Sequence, residues 1–114
     1  MKHNDEYLFR RAEKAIIGHE LYLRADMSRS LLDKYVHLPK NKFASIFRQF
    51  TGKGFPGYIN ELRLERAAKL LRENHKHTIE SIAHDCGIPV SQTFYRLFNE
   101  KYGMTPAQYR AKHQ

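Results

Sequence analysis

Two sets of polar side chains share one spacing in this 114-residue sequence. Gln92, Arg96 and Asn99 recur at i, i+4 and i+7, and Asn41, Ser45 and Arg48 recur in the same way 51 positions earlier. On a helix that spacing gathers side chains on one stripe. The residue types suit the edges of base pairs. Arg bridges guanine O6 and N7, Asn and Gln bridge adenine N6 and N7, and Tyr or Ala touches a thymine methyl. Ser91, Thr93 and Tyr95 flank the later stripe, and Lys40, Lys42 and Ala44 flank the earlier one. Residues near the N-terminal end of a recognition helix reach base edges. The base-reading candidates are therefore Asn41, Lys42 and Ser45, then Ser91, Gln92, Tyr95 and Arg96. Lys40, Arg48, Lys53, Thr93 and Lys101 stand where phosphate contacts are expected, and such contacts position without specifying. Ser28 and Thr78, each at a helix start, are expected to present that N-terminus to phosphate as well.

Opposite each polar stripe lies an apolar one. Phe43, Ile46, Phe47 and Gly52 reappear as Phe94, Leu97, Phe98 and Gly103, a spacing of 51, whereas Leu32 reappears as Ile82, a spacing of 50. The motif is thus duplicated, with the second turn expected to be one residue longer. Each copy reads as a helix-turn-helix. In the first, Ser28 caps a helix over 28–36, helped by Asp26, with Leu31, Leu32, Tyr35 and Val36 apolar. A second helix over 39–50 would place Pro39 at its first position and close on Gly52 as a left-handed cap. In the second copy Thr78 caps a helix over 78–86, Gly87 turns, and Pro89 or Val90 opens a helix to Tyr102.

Between the copies, 55–71 reads as one helix with two apolar faces. Phe55, Tyr58, Ile59 and Leu62 form one; Leu64, Ala67, Ala68 and Leu71 form another, rotated to the opposite side. A helix that packs once needs one stripe. Two stripes, on a helix ~26 Å long, suit a spacer between two small units. Ahead of them, 6–23 reads as a helix with Tyr7, Leu8, Ala12, Ala15, Ile16 and Leu23 apolar, either a brace for the units after it or a connector from a larger protein. Residues 73–77 form a polar loop, and Thr105-Pro106 opens a last helix anchored by Tyr109. The expected fold is all-α, about seven helices, with two helix-turn-helix units joined by a long central helix. The corresponding segments are 1–25, 26–54, 55–73, 77–103 and 104–114.

Lys and Arg number 20 against 12 Asp and Glu, a formal net charge of +8, which points to a polyanionic partner. The single cysteine excludes an intrachain disulfide and fits a reducing compartment. No apolar run approaches the ~20 residues that span a bilayer, and no secretory signal opens the chain. A cytoplasmic, nucleoid-associated location without membrane contact is expected. His75, His77 and His84 lack the Cys pair or carboxylates that would complete a metal site, so no metal is expected. Cys86, just before the turn glycine, reads as a small buried hydrophobe and not as a redox sensor. No nucleophile–base spacing and no Gly-rich phosphate loop appears, so no catalytic residue, no cofactor and no enzyme activity are expected. The Phe and Tyr stripes read as core, not as stacking platforms for single strands.

These residues carry a family resemblance. From about Leu8 onward the chain resembles the DNA-binding domain of the AraC/XylS family of bacterial transcription regulators. The stretches that carry it are YINELRLERAAKLL, TIESIAHDCGI, TFYRLFNEKYGMTPAQYR and FASIFRQFTGKGF. Within them stand Arg63-Leu64, Ala67, Leu70-Leu71, Ile82-Ala83, Gly87, Phe94, Arg96, Phe98, Gly103, Thr105-Pro106 and Tyr109-Arg110. The resemblance implies a seven-helix domain whose two recognition helices enter successive major grooves on one face of double-stranded DNA, ~34 Å apart. It implies regulation of transcription, often through contact with RNA polymerase, and a sensory or dimerisation domain elsewhere in the protein and missing from this chain. Two reading heads on one chain make the isolated domain an expected monomer. The sequence departs from the family at Asp33, where Ala is common, His37, where Gly is common, Ile88, where Phe is usual, and Asn99, where Lys is common. Two competing readings are a basic module that docks an acidic protein and an architectural DNA binder without base preference.

Overall fold

The structure, a computed structural model, describes residues 4–114 and contains seven α-helices, one 3-10 turn and no strand among them. The chain forms two compact units, one ending at Ile59 and one running Asn60–Gln114.

In the first unit, α1 (Asp5–Gly18) is capped by the Asn4 side chain and followed by a 3-10 turn, Leu21–Leu23. It buries Leu8, Phe9, Ala12, Ala15 and Ile16. The helix ends earlier than the expected residue 23. Its stripe would next have buried His19 and Glu20, polar groups that are costly to desolvate. The chain instead leaves the helix, with Glu20 left-handed at φ 51, and Leu21 is buried where Leu23 was expected. Tyr7 also departs from its expected apolar stripe, being 44% exposed.

Helix α2 (Arg29–Asp33) starts at Ser28, whose hydroxyl oxygen accepts from the Leu31 N–H at 3.2 Å. It stops short of Val36. The chain beyond it buries Val36 and Leu38 on alternate positions, a pattern that an extended chain satisfies and a helix does not. Tyr35, expected in the core, is 43% exposed. Asp26 pairs with the Arg24 guanidinium at 2.8 Å, so its charge is engaged outside α2. Helix α3 (Phe43–Thr51) begins at Phe43 and not at Pro39. Residues 39–42 close a turn through the Lys42 N–H and Pro39 carbonyl, 3.0 Å. None of Lys40, Asn41 and Lys42 has an apolar face to pack, and packing is what sustains a short helix. From Phe43 onward Phe43, Ile46 and Phe47 are buried. Phe9 of α1 stacks on Phe50 with centroids 5.3 Å apart and meets Phe47 edge-on at 5.8 Å. Tyr58 joins the same cluster.

Helix α4 (Phe55–Glu73) is continuous. Tyr58 and Ile59 are buried in its first part and Leu64, Ala67, Ala68 and Leu71 in the rest, the two-faced pattern expected from the sequence, while Phe55 and Leu62 are half-buried.

The second unit continues with α5 (Ile79–Asp85), α6 (Ser91–Tyr102) and α7 (Pro106–Lys112). Phe94 and Phe98 of α6 are fully buried. Phe98 meets Tyr102 at 4.6 Å and Tyr109 of α7 at 5.4 Å, and the Tyr109 hydroxyl accepts from Arg72 at 2.6 Å. Thr105 and Gln108 form a reciprocal capping box at the start of α7. Ile88 is buried, so the apolar role of that position is kept. The two motifs are not built alike. The connection between α2 and α3 spans 34–42, whereas that between α5 and α6 spans 86–90, so the second is the shorter one, contrary to the expected extra residue. Gly87 turns with φ 85, while His37, its counterpart, has no positive φ.

Candidate nucleic-acid interface

Each of α3 and α6 divides its side chains between two sides. On α6 the buried Phe94 and Phe98 fix the rotation, and Gln92, Arg96 and Asn99 are left exposed. Ser91, Thr93 and Tyr95 are half-buried beside them. On α3 the buried Phe43, Ile46 and Phe47 leave Ala44, Ser45 and Arg48 exposed. Lys40, Asn41 and Lys42 are exposed too, but they lie in the turn ahead of α3 and not on its wet face, which corrects the helical placement expected from the sequence. Lys53 is exposed just after the Gly52 cap, and Lys101 lies in the last turn of α6. Ser28 and Thr78 both cap their helices, Thr78 accepting from the Ser81 N–H at 3.0 Å.

The helix starts differ in a way that bears on anion binding. Asn4, Ser28, Thr78 and Thr105 cap α1, α2, α5 and α7 through their side chains. Lys42 and Val90, at the N-caps of α3 and α6, make no such bond. The first-turn N–H groups of these two helices therefore look outward for partners, which water or a phosphate oxygen can supply.

Four of the polar candidates, Lys42, Tyr95, Arg96 and Lys101, are held by carboxylates. Lys42 reaches Asp5 of α1 at 3.2 Å, and Arg96 reaches Glu100 one turn on at 3.4 Å. Lys101 reaches Glu61 of α4 at 2.8 Å, and that hydrogen bond raises its pKa, so its ammonium stays charged. The Tyr95 hydroxyl donates to Glu80 of α5 at 3.1 Å, which ties the two helices of the second motif. Burial first, and Glu80 second, raise the Tyr95 pKa, so the phenol stays a donor. Arg96 and Glu100 are both 61% exposed, and ion pairs in water contribute little, so the guanidinium is readily recruited by a stronger acceptor. Only the i, i+4 spacing of Arg96 and Glu100 was legible as a pair; Asp5, Glu61 and Glu80 meet their partners through tertiary packing.

Val90 was not among the expected contacts. It is 59% exposed at the tip of α6, beside Ser91 and Gln92. An aliphatic side chain there matches a thymine methyl. The His75–His77 loop has a structural explanation: Arg110 donates to the Asn74 and His77 carbonyls at 3.0 and 2.7 Å, and the Asn74 side chain accepts from the N–H groups of Lys76 and His77. Among the described residues no three His, Cys, Asp or Glu side chains gather as metal ligands, and no helix is long and apolar enough to cross a membrane. Cys86 is buried, and burial pushes its thiol up to about 11.

Comparison with known proteins agrees with this arrangement. A family profile described as "Helix-turn-helix domain" matches residues 32–112. The HTH-type transcriptional activator RhaR of Yersinia pseudotuberculosis is 37% identical over 75 residues, 66% of this chain and 26% of RhaR. The chain spans less than a third of the length of the curated relatives it matches. Among solved structures, a transcriptional regulator from Chromobacterium violaceum with an AraC-type DNA-binding domain superposes with a TM-score of 0.78 at 23% identity, over 95% of this chain and 93% of that one. The DNA-binding domain of AdpA, solved with a target DNA, superposes with a TM-score of 0.75 at 23% identity, over 93% and 91%. Both likenesses are of fold.

Proposed function

The chain belongs to the AraC-type helix-turn-helix family, and from that premise we propose that it reads double-stranded DNA through α3 and α6 to regulate transcription. The observation that carries the reading is the shared division of these two helices, an aromatic buried side opposite a polar exposed one, with N-termini that no side chain caps. In this reading α6 lies in a major groove, with Ser91, Gln92, Tyr95 and Arg96 against base edges and Val90 against a thymine methyl. Helix α3 lies in the next major groove, ~34 Å along the duplex. It reads with Ser45 and with Asn41 and Lys42 from the turn ahead of it. Lys40, Arg48, Lys53, Thr93 and Lys101 hold phosphates, as do the Ser28 and Thr78 hydroxyls, whose protons remain to donate while their oxygens cap. Phosphate displaces the Glu61 carboxylate from Lys101, and base edges displace Asp5 from Lys42 and Glu100 from Arg96.

The first motif then covers 26–54, the second 77–103, with 55–73 as linker helix, 1–25 as brace and 104–114 closing the second unit. The domain acts by binding alone, with no catalytic step and no cofactor, as a monomer in the cytoplasm. It is the output end of a longer regulator that carries sensing or dimerisation elsewhere, and its DNA-bound form contacts RNA polymerase.

Fluorescence anisotropy on a selected duplex tests the assignment of roles. Arg96→Ala should cost ~1–3 kcal/mol and relax preference at one base position. Lys40→Ala should weaken all sequences alike and lower the salt slope by about one unit. An Arg96→Ala loss equal on every sequence would make Arg96 a phosphate contact, and an unchanged slope would remove Lys40 from the footprint.

A further inference from the structure

A groove of about 430 Å³ lies in the first unit, outside the candidate DNA-reading residues. Tyr7, Arg11, Lys14 and Ala15 of α1, His19 just past its end, and Tyr35 and Val36 beyond α2 line it. Its chemistry is specific in two respects. First, both formal charges are positive and no carboxylate lines it. Neither Arg11 nor Lys14 has a carboxylate partner among the described residues, unlike Arg10, which pairs with Glu13 at 3.0 Å. Second, two of the four large apolar side chains left exposed among the described residues line it. Tyr7 is 44% and Tyr35 43% exposed, and Ile17 on the neighbouring stripe of α1 is 46% exposed. The aromatic side chains have neighbours: the Arg11 guanidinium sits 6.0 Å from the Tyr7 ring centre, and His19 and Tyr35 lie with ring centres 4.9 Å apart.

Exposed tyrosines next to arginine are the composition of protein interface cores, where aromatics and Arg are enriched. Neither Tyr7 nor Tyr35 serves the fold as core. A duplex backbone would satisfy Arg11 and Lys14 and leave the tyrosines and Ile17 without a matching surface. We propose that this groove docks a short acidic segment of a partner protein, its carboxylates on Arg11 and Lys14 and one apolar side chain between Tyr7 and Tyr35.

The test uses the full 114-residue chain and a fluorescein-labelled peptide of Asp and Glu with a single central Phe. Binding should be saturable. Arg11→Gln, Lys14→Gln and Tyr35→Ala should each weaken it, the charge removals by about tenfold or less and in combination by more. Replacing the peptide's Phe by Ser should weaken it as well. Duplex binding by Arg11→Gln should match that of Lys112→Gln, which removes the same charge from α7. Unchanged circular dichroism melting establishes that the variants fold, and Lys14→Gln, at an exposed position, is the mildest of them. No saturable binding, or binding indifferent to all three substitutions, would overturn the proposal. So would a loss of duplex affinity in Arg11→Gln and Lys14→Gln as large as the loss of peptide affinity, because the groove would then belong to the DNA footprint.

Discussion

Arg96 and Cys86 mark the two ends of what a single side chain does in this fold. Arg96 is exposed and paired with an exposed carboxylate, which leaves it available to a partner in the proposed reading; Cys86 is shut inside and spent on the core. The thiol's role as a small hydrophobe was legible, because it stands one residue before the turn glycine on the apolar side of α5. Burial raises its pKa from 9.0 to about 11, with Asp85 adding and Arg66 and Arg63 opposing. The sign comes from linkage. An acid whose folded pKa is raised is bound to its proton more firmly in the folded state, so its contribution is whole below the unfolded value and is lost as pH rises toward the folded one. Urea midpoints should therefore fall between about pH 9 and 11 more steeply in the parent chain than in Cys86→Ala, a difference on the order of 1–2 kcal/mol. Parallel declines would mean that the thiol is not desolvated and that the tyrosines alone carry the alkaline loss. The acids that hold Lys42, Tyr95 and Lys101 were not legible, because each stands on a different element from its partner and meets it through packing.

Helix identity was legible, as were the limits that carry a cap, such as Ser28, Gly52, Thr78, Gly103 and Thr105; the ends of α1 and α2 and the start of α3 were not. The aromatic stripes of α3 and α6 and the two faces of α4 come from spacing, and the structure buries them as spacing requires. The ends are set by what the next residue would bury. Thus α1 stops before it would have to bury His19 and Glu20, and α2 stops so that Val36 and Leu38 can both point inward. The start of α3 was misplaced because Pro39 is compatible with a first helical position, yet nothing between it and Phe43 packs. Two glycines should respond to alanine in opposite directions. Gly52 closes α3 at φ 75 with nothing within 4 Å of an added Cβ, so Gly52→Ala should lose ~1–2 kcal/mol through backbone strain alone. Gly57 lies inside α4, where an added Cβ meets only the Lys53 side chain, its Cβ at 3.4 Å, so Gly57→Ala should gain ~0.5–1 kcal/mol from helix propensity. Urea unfolding checks both, and a stabilised Gly52→Ala would mean that the left-handed cap is not required.

At the scale of the whole molecule, duplication is the organising fact. A motif that recurs with spacings of 51 and 50 yields two units on one chain, and a continuous helix that buries one face in its first part and another in the rest runs between them. Dimeric helix-turn-helix proteins obtain two reading heads by pairing subunits, with half-sites one helical turn apart. Here both heads are covalent, and they are unequal. The first carries its candidate reading residues on a turn as well as a helix, and its connection is longer. The formal charge of +8 makes binding steeply salt-dependent whatever the sequence, so affinity alone does not test reading. The measurement that does is selection of bound duplexes from a random pool, followed by titration of the recovered sequence and its scramble at several salt concentrations. Two conserved blocks centred about 10 base pairs apart, bound far more tightly than the scramble at physiological salt, are the predicted result. Recovery of no common sequence, with equal affinity for scrambled DNA that vanishes as salt rises, would contradict the account.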